Sequence, residues 1–207
     1  MPDERRCSPP KAPSRPVWRR GRETVINRLV ERNVNPTDEL VGKILQKRKA
    51  VLADLGLPPV MNGARELIQN ARNAGLAIWA VTGSSDPTLR KRLPEAFDGL
   101  IDASQMITGE DTFAGKPAAE PYALACARAG IHAHNAVTVE NSPLGVRSAD
   151  QAGTFCIAVN SGPLPATVLE RAGARAVFTS CEALAAGWED VMSILADYST
   201  APEAITV

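Results

Sequence analysis

The sequence predicts an α/β fold, a parallel sheet covered by helices with a small helical lid ahead of it, and three observations carry that reading. Residues 136–139, rich in β-branched side chains, stop at Glu140 and Asn141, turn through Pro143 and Gly145, and run as helix-compatible residues to Gly153. A second apolar run, 154–159, follows at once, which makes a strand–helix–strand unit. Residues 76–81 are continuously apolar, the pattern of a strand buried on both faces. Ahead of both, residues 21–55 repeat apolar side chains at helical spacing.

Length and charge narrow the class. A chain of 207 residues suits one domain, or a core with a smaller insert, and 44% hydrophobic residues can bury an ordinary core. Lysine plus arginine and aspartate plus glutamate both number 23, so no charge excess points to a nucleic acid or a membrane surface. No apolar run is long enough to span a bilayer. Cys7, Cys126, Cys156 and Cys181 lie far apart with no CxxC pair, which argues against zinc or a disulfide framework and favours a reducing, cytoplasmic setting.

In chain order, residues 1–20 hold five prolines and six basic residues without apolar periodicity, the composition of a disordered arm. Val25, Ile26, Leu29 and Val30 share a helical face that ends at Asn33. Asn35 and Pro36 then read as the start of a second helix, whose stripe runs through Leu40, Val41, Ile44, Leu45, Leu52 and Leu55. Residues 21–57 are therefore expected to form a helical cap and 58–207 the core. Lys47, Arg48 and Lys49 on that second helix could reach an anion or could simply be a solvated face. A helix over 63–74 ends at Gly75 before the strand 76–81. Residues 97–103 make another strand candidate, 122–129 a helix closed by Gly130, and 176–178 a short strand near the end, with a helix around Leu169 before it and an alanine-rich helical region after Cys181.

Chemistry gathers where the expected strands stop. The run 76–81 ends in Thr82-Gly83-Ser84-Ser85, hydroxyls and backbone amides ahead of a helix start, which suits a phosphate or an ordinary turn. Gly115-Lys116-Pro117 restrains a lysine in a loop, where it is either solvated or aimed as a fixed charge. Glu140 and Asn141 end their strand as either loop caps or site residues, since ligands of open α/β sheets sit at the carboxyl ends of strands. His132 and His134 flank a turn without ligand spacing and read as structural.

Taken together, Thr82-Gly83-Ser84, Gly115-Lys116-Pro117 with Glu120-Pro121-Tyr122, and Val139-Glu140-Asn141-Ser142-Pro143-Leu144-Gly145-Val146 resemble the second, third and fourth motifs of the haloacid dehalogenase-like hydrolases. The branch with a small helical cap, that of the phosphoglycolate phosphatases and β-phosphoglucomutases, is the most similar, and Ile157 to Leu164 with Ala172-Gly173-Ala174 resembles it too. The resemblance implies a Rossmann-like three-layer core and phosphoryl transfer from small phosphorylated metabolites through an aspartyl-phosphate, with Mg2+. It assigns Thr82, Gly83 and Ser84 to the phosphate, Lys116 to the nucleophile–phosphate pair, Glu140 and Asn141 to magnesium, and Lys49 to substrate in the cap. Asparagine in place of the family's commoner aspartate at 141 implies weaker metal affinity.

The sequence departs from the pattern at its front. The family's first motif is a central strand ending in Asp-x-Asp, which supplies nucleophile and general acid/base, and this sequence contains no Asp-x-Asp. No segment in residues 1–20 replaces that strand, so the sheet is expected to have a gap between the strands of the second and fourth motifs. Two readings follow: a phosphatase-family chain whose start was lost and which is inactive as written, or a non-catalytic descendant that keeps its phosphate loops for binding or regulation.

Overall fold

A computed structural model describes residues 25–26, 29–55, 59–198 and 204–206. The expected arm, residues 1–20, lies outside the described residues. Six strands form one sheet in the order β2-β1-β6-β3-β4-β5, every neighbouring pair parallel. They are β1 (Ala77–Val81), β2 (Met106–Ile107), β3 (Ala136–Glu140), β4 (Phe155–Val159), β5 (Ala176–Phe178) and β6 (Ala204–Thr206). The helices are α1 (Asp38–Leu55), α2 (Ala64–Asn73), α3 (Leu89–Ala96), α4 (Glu120–Ala129), α5 (Pro143–Ala152), α6 (Ala166–Glu170), α7 (Cys181–Ala186) and α8 (Trp188–Tyr198).

The three layers follow from strand alternation. Ile78, Ala80, Val137 and Ile205 face a core shared with Leu67 and Ile68 of α2, Leu184 of α7, and Val191 and Leu195 of α8. Trp79, Val81, Cys156 and Ala158 face the other way, onto Tyr122 and Ala125 of α4 and Val146 and Ala149 of α5. A parallel sheet covered on both faces in this way needs apolar strands throughout, which is why 76–81 lacks polar alternation. Among the described residues, no helix is long and apolar enough to cross a membrane.

Three local expectations change. The second helix begins at Asp38, where the Thr37 hydroxyl accepts from Leu40 N–H at 3.3 Å, rather than at Asn35-Pro36. Residues 97–103 are not a strand, because Asp98 and Gly99 take positive φ of 52° and 77° and turn the chain. The extended stretch comes later, at Met106–Ile107. Most important for the site, the sheet is continuous between β1 and β3. The gap expected there is filled by β6 from the tail, which pairs Ile205 with Ile78 on one side and Val137 on the other. Ile205 is fully buried, and the Thr206 hydroxyl lies 2.7 Å from that of Thr138.

Candidate functional site

The carboxyl ends of β1 and β3 lie on one edge of the sheet, on either side of β6, and three loops meet there. The first follows β1. Thr82 N–H donates to Ile107 C=O at 2.8 Å, and Ser84 C=O accepts from Gly109 N–H at 2.7 Å, which pins the loop to the neighbouring strand and its turn. Gly109 has to be glycine for this approach, since a Cβ would strike Gly83 C=O and the Ser85 hydroxyl. Inside the loop Ser84 N–H donates to Thr82 Oγ1 at 3.2 Å, and Asp86 N–H to Ser84 Oγ at 3.3 Å. The Ser84 amide expected to grip a phosphate is thus engaged by the Thr82 hydroxyl oxygen.

The second loop carries Lys116, whose bond to Pro117 is cis. Glu120, at the start of α4, accepts from Phe113 N–H and Ala114 N–H at 2.6 Å each and so fixes the backbone just before the lysine. Lys116 Nζ then donates to Val81 C=O at 3.1 Å, to the Tyr122 hydroxyl at 2.9 Å and to Glu140. These three bonds use all three ammonium donors. They bring a residue 35 positions away in sequence to the peptide group shared by Val81 and Thr82.

Glu140 is the hub. One oxygen accepts from Lys116 and from the Tyr122 hydroxyl at 2.6 Å. The other accepts from Asn141 N–H at 3.0 Å, Ser142 N–H at 3.3 Å and the Ser142 hydroxyl at 3.2 Å. Ser142 also caps α5 by accepting from Gly145 N–H at 3.1 Å, so the carboxylate sits against a helix start, where negative charge is favoured. Gly145 packs so closely that a Cβ there would fall on the Glu140 carboxyl group. Burial pushes the Glu140 carboxyl up, but the Lys116 charge and the donated hydrogen bonds outweigh it and hold the group below the ordinary glutamate range. Burial, with the Glu140 charge next, pushes the Tyr122 phenol well up and keeps it a neutral donor. Burial also drives the Cys156 thiol up to about 12, with Glu140 and Asp150 adding to it, so this thiol is inert.

Of the residues singled out in the sequence, Lys116 and Glu140 meet, and Lys116 also reaches the peptide group that precedes Thr82. Asn141 follows Glu140 in the chain, and its amide nitrogen donates to the Ser161 hydroxyl at 3.2 Å. Lys49 is exposed on α1, and among the described residues no hydrogen bond or ion pair joins it to this cluster. Tyr122, Glu120 and Gly145 were not assigned roles from sequence. A fully buried tyrosine on an otherwise apolar helix face was the available signal for the first, since its hydroxyl needs a partner.

The donor set does not fit a magnesium ion. Such an ion takes six oxygens in near-octahedral order. Glu140 has both oxygens taken by five donors, one of them a lysine that a cation would have to displace. Among the described residues no three histidine, cysteine, aspartate or glutamate side chains gather to hold a metal.

Comparison with known proteins agrees with the three-motif resemblance. A family model described as haloacid dehalogenase-like hydrolase matches residues 9–153. The chain is 27% identical over 124 residues to validoxylamine A 7'-phosphate phosphatase of Streptomyces hygroscopicus subsp. limoneus, covering 60% of this chain and 57% of that one. It is 35% identical over 99 residues to hexitol phosphatase A of Escherichia coli (strain K12), covering 48% and 45%. The chain thus spans about half the length of the curated relatives it matches. Among solved structures, a Bacteroides vulgatus protein assigned as a β-phosphoglucomutase superposes with a TM-score of 0.76 at 36% identity, over 84% of this chain and 71% of that one. A hydrolase from Pseudomonas syringae shares the fold, with a TM-score of 0.63 at 22% identity over 75% and 74%.

Proposed function

The chain belongs to the haloacid dehalogenase-like hydrolases, and from that premise we propose that it binds the phosphoryl group of a small phosphorylated metabolite at the edge where β1 and β3 end. The carrying observation is that Lys116 Nζ lies 3.1 Å from Val81 C=O, one residue before Thr82. A phosphoryl oxygen that replaces this carbonyl at the ammonium would lie next to the loop that Thr82 opens, and the Thr82 hydroxyl is the candidate second contact. Lys116 keeps Glu140 and Tyr122 as partners during the exchange, so the lysine stays aimed and charged. The Gly83 amide is a further donor toward the same oxygens, and Lys49, on the expected cap, is the candidate contact to the rest of the ester.

Turnover is a separate matter. Attack on phosphorus in this family's manner needs a carboxylate in line with the leaving oxygen, and the sequence has no Asp-x-Asp to supply it. Lys116, Thr82 and Glu140 stabilise charge and do not attack. The 207-residue polypeptide therefore acts as a phosphate-ester binder, and its family role, phosphatase or phosphomutase, requires a nucleophile from elsewhere. Because Lys116 already occupies Glu140, binding does not depend on magnesium. Calorimetric titration with inorganic phosphate, with and without MgCl2, alongside release of phosphate from small esters, tests this reading. Equal affinity in both buffers and no release are expected. Steady Mg2+-dependent release by the unmodified chain would overturn it.

A further inference from the structure

A cavity of about 250 Å³ opens between α2, α3 and the sheet, on the face that carries Ile78 and Ala80. Ala64 and Leu67 of α2, Leu93 of α3, Phe97 just after it, Ala80 of β1 and Val139 of β3 supply most of its wall, which is almost wholly apolar. A charged or hydroxylated guest would give up its water there for few partners in return. A hydrocarbon ring gains by leaving water. The space suffices, because an apolar cavity of about 150 Å³ already takes a benzene molecule.

The walls are held apart by bonds that do not involve a guest. Gly63 takes a φ of 72° and lies so close to α7 that a Cβ would strike the Glu182 backbone, so α2 starts flush against α7. Arg65 of α2 donates to Ala96 C=O at the end of α3 and pairs with Asp98 at 2.8 Å. At the other end of α3, Arg90 donates to Ala103 C=O at 2.9 Å and Met106 C=O at 3.2 Å, which ties the helix to the chain entering β2. Neither helix can sink into the cavity without breaking these ties. The cavity is preformed, as small-molecule sites commonly are.

Its position gives it a ligand. Val81 and Thr82 also border it, and Val81 C=O is the group that Lys116 Nζ meets at 3.1 Å. The apolar space and the free end of the ammonium's exchange site thus share Val81 as a neighbour. We propose that the cavity seats the organic body of the phosphate ester, and that the ligand class is a phosphate monoester of a small aromatic or branched hydrocarbon alcohol. The ester assignment rests on the phosphate-site reading. The cavity stands on its own walls.

Titrations of the full chain followed by 31P NMR at about pH 8, where monoesters are dianions, compare phenyl phosphate with methyl phosphate and glycerol phosphate. Phenyl phosphate is expected to bind at least about tenfold more tightly than either, since only its ring gains from the cavity. Ala64→Leu fills the space with a helix-compatible side chain and should abolish that advantage, leaving methyl phosphate within about twofold of the parent. Ala80→Val fills it from the sheet should the first variant fail to fold. Equal affinities in the parent, or an advantage that survives filling, would overturn the proposal. Fluorobenzene, which has no phosphate, probes the cavity alone by fluorine NMR. Its line should broaden saturably with the parent and not with the filled variant, and no binding to the parent would also overturn the proposal. Fluorobenzene bound in the cavity with no phosphate compound bound anywhere would refute the phosphate site, and the ester assignment with it, while the hydrocarbon site stands.

Discussion

Gly145→Ala is the smallest change that tests the Glu140 hub. The glycine is inside α5, so its backbone is ordinary helix and only space forbids a side chain. An added methyl would occupy the Glu140 carboxyl position itself, and either the side chain or the first turn of α5 must move. Moving the carboxylate separates it from Lys116 and the Tyr122 hydroxyl and lifts it from the amides at 141 and 142. Splitting a buried ion pair while both charges stay inside costs about 3–5 kcal/mol. The Lys116 side chain is 17% exposed, so water can recover part of that. Alanine also contributes roughly 1 kcal/mol over glycine in a helix interior. The net loss is about 2–3 kcal/mol, or about 6–9 °C in Tm for a chain of this size. Thermal unfolding followed by circular dichroism measures it, with Gly130→Ala as the comparison. Gly130 takes a φ of 74° after α4 with open space around it, so its loss is backbone strain alone, about 1 kcal/mol. If Gly145→Ala were as stable as the parent, the close packing of Glu140 against α5 would be wrong.

Two further outcomes are expected. Glu140 has its carboxyl held below the ordinary value of 4.5, so its contribution to stability is complete above pH 4.5 and is lost as pH falls through the lower folded value. The Tm difference between the parent and Glu140→Gln should therefore stay constant from pH 7 to about 5 and shrink below 4.5; a difference that widens toward acid would reverse the sign of the argument. Ile205→Ala removes a fully buried side chain from the centre of the sheet and should cost about 3 kcal/mol in urea unfolding. No loss would mean that β6 does not sit between β1 and β3.

Much of this was legible in the sequence because the strands are buried on both faces. The runs at 76–81, 136–139 and 154–159 are apolar throughout, and each ends where the sheet ends, so Thr82 and Glu140 could be assigned to one edge. Lys116 could be named from its Gly–Pro setting and its family spacing, but its three partners are 6, 24 and 35 residues away, and no local pattern reports such pairing. The partner of Asn141 was hidden for a similar reason, because Ser161, which accepts from its amide nitrogen, belongs to the next strand's loop. The strand at 97–103 failed on Asp98, a residue with no sequence requirement for positive φ that takes it in a turn. β6 was missed because three residues, Ala204-Ile205-Thr206, carry too little alternation to be recognised. Only the two strands waiting on either side make it a strand, and those belong to tertiary structure.

The most direct test of the account is phosphate binding by the parent chain, Thr82→Val and Lys116→Met, each shown to be folded by circular dichroism and titrated at pH 7 by 31P NMR line broadening. The parent should bind saturably, Lys116→Met should lose binding, and Thr82→Val should weaken it about tenfold, the loss of one hydrogen bond to a charged group at about 1.4 kcal/mol. Binding that survives intact in folded Lys116→Met would contradict the assignment of the phosphate to this site.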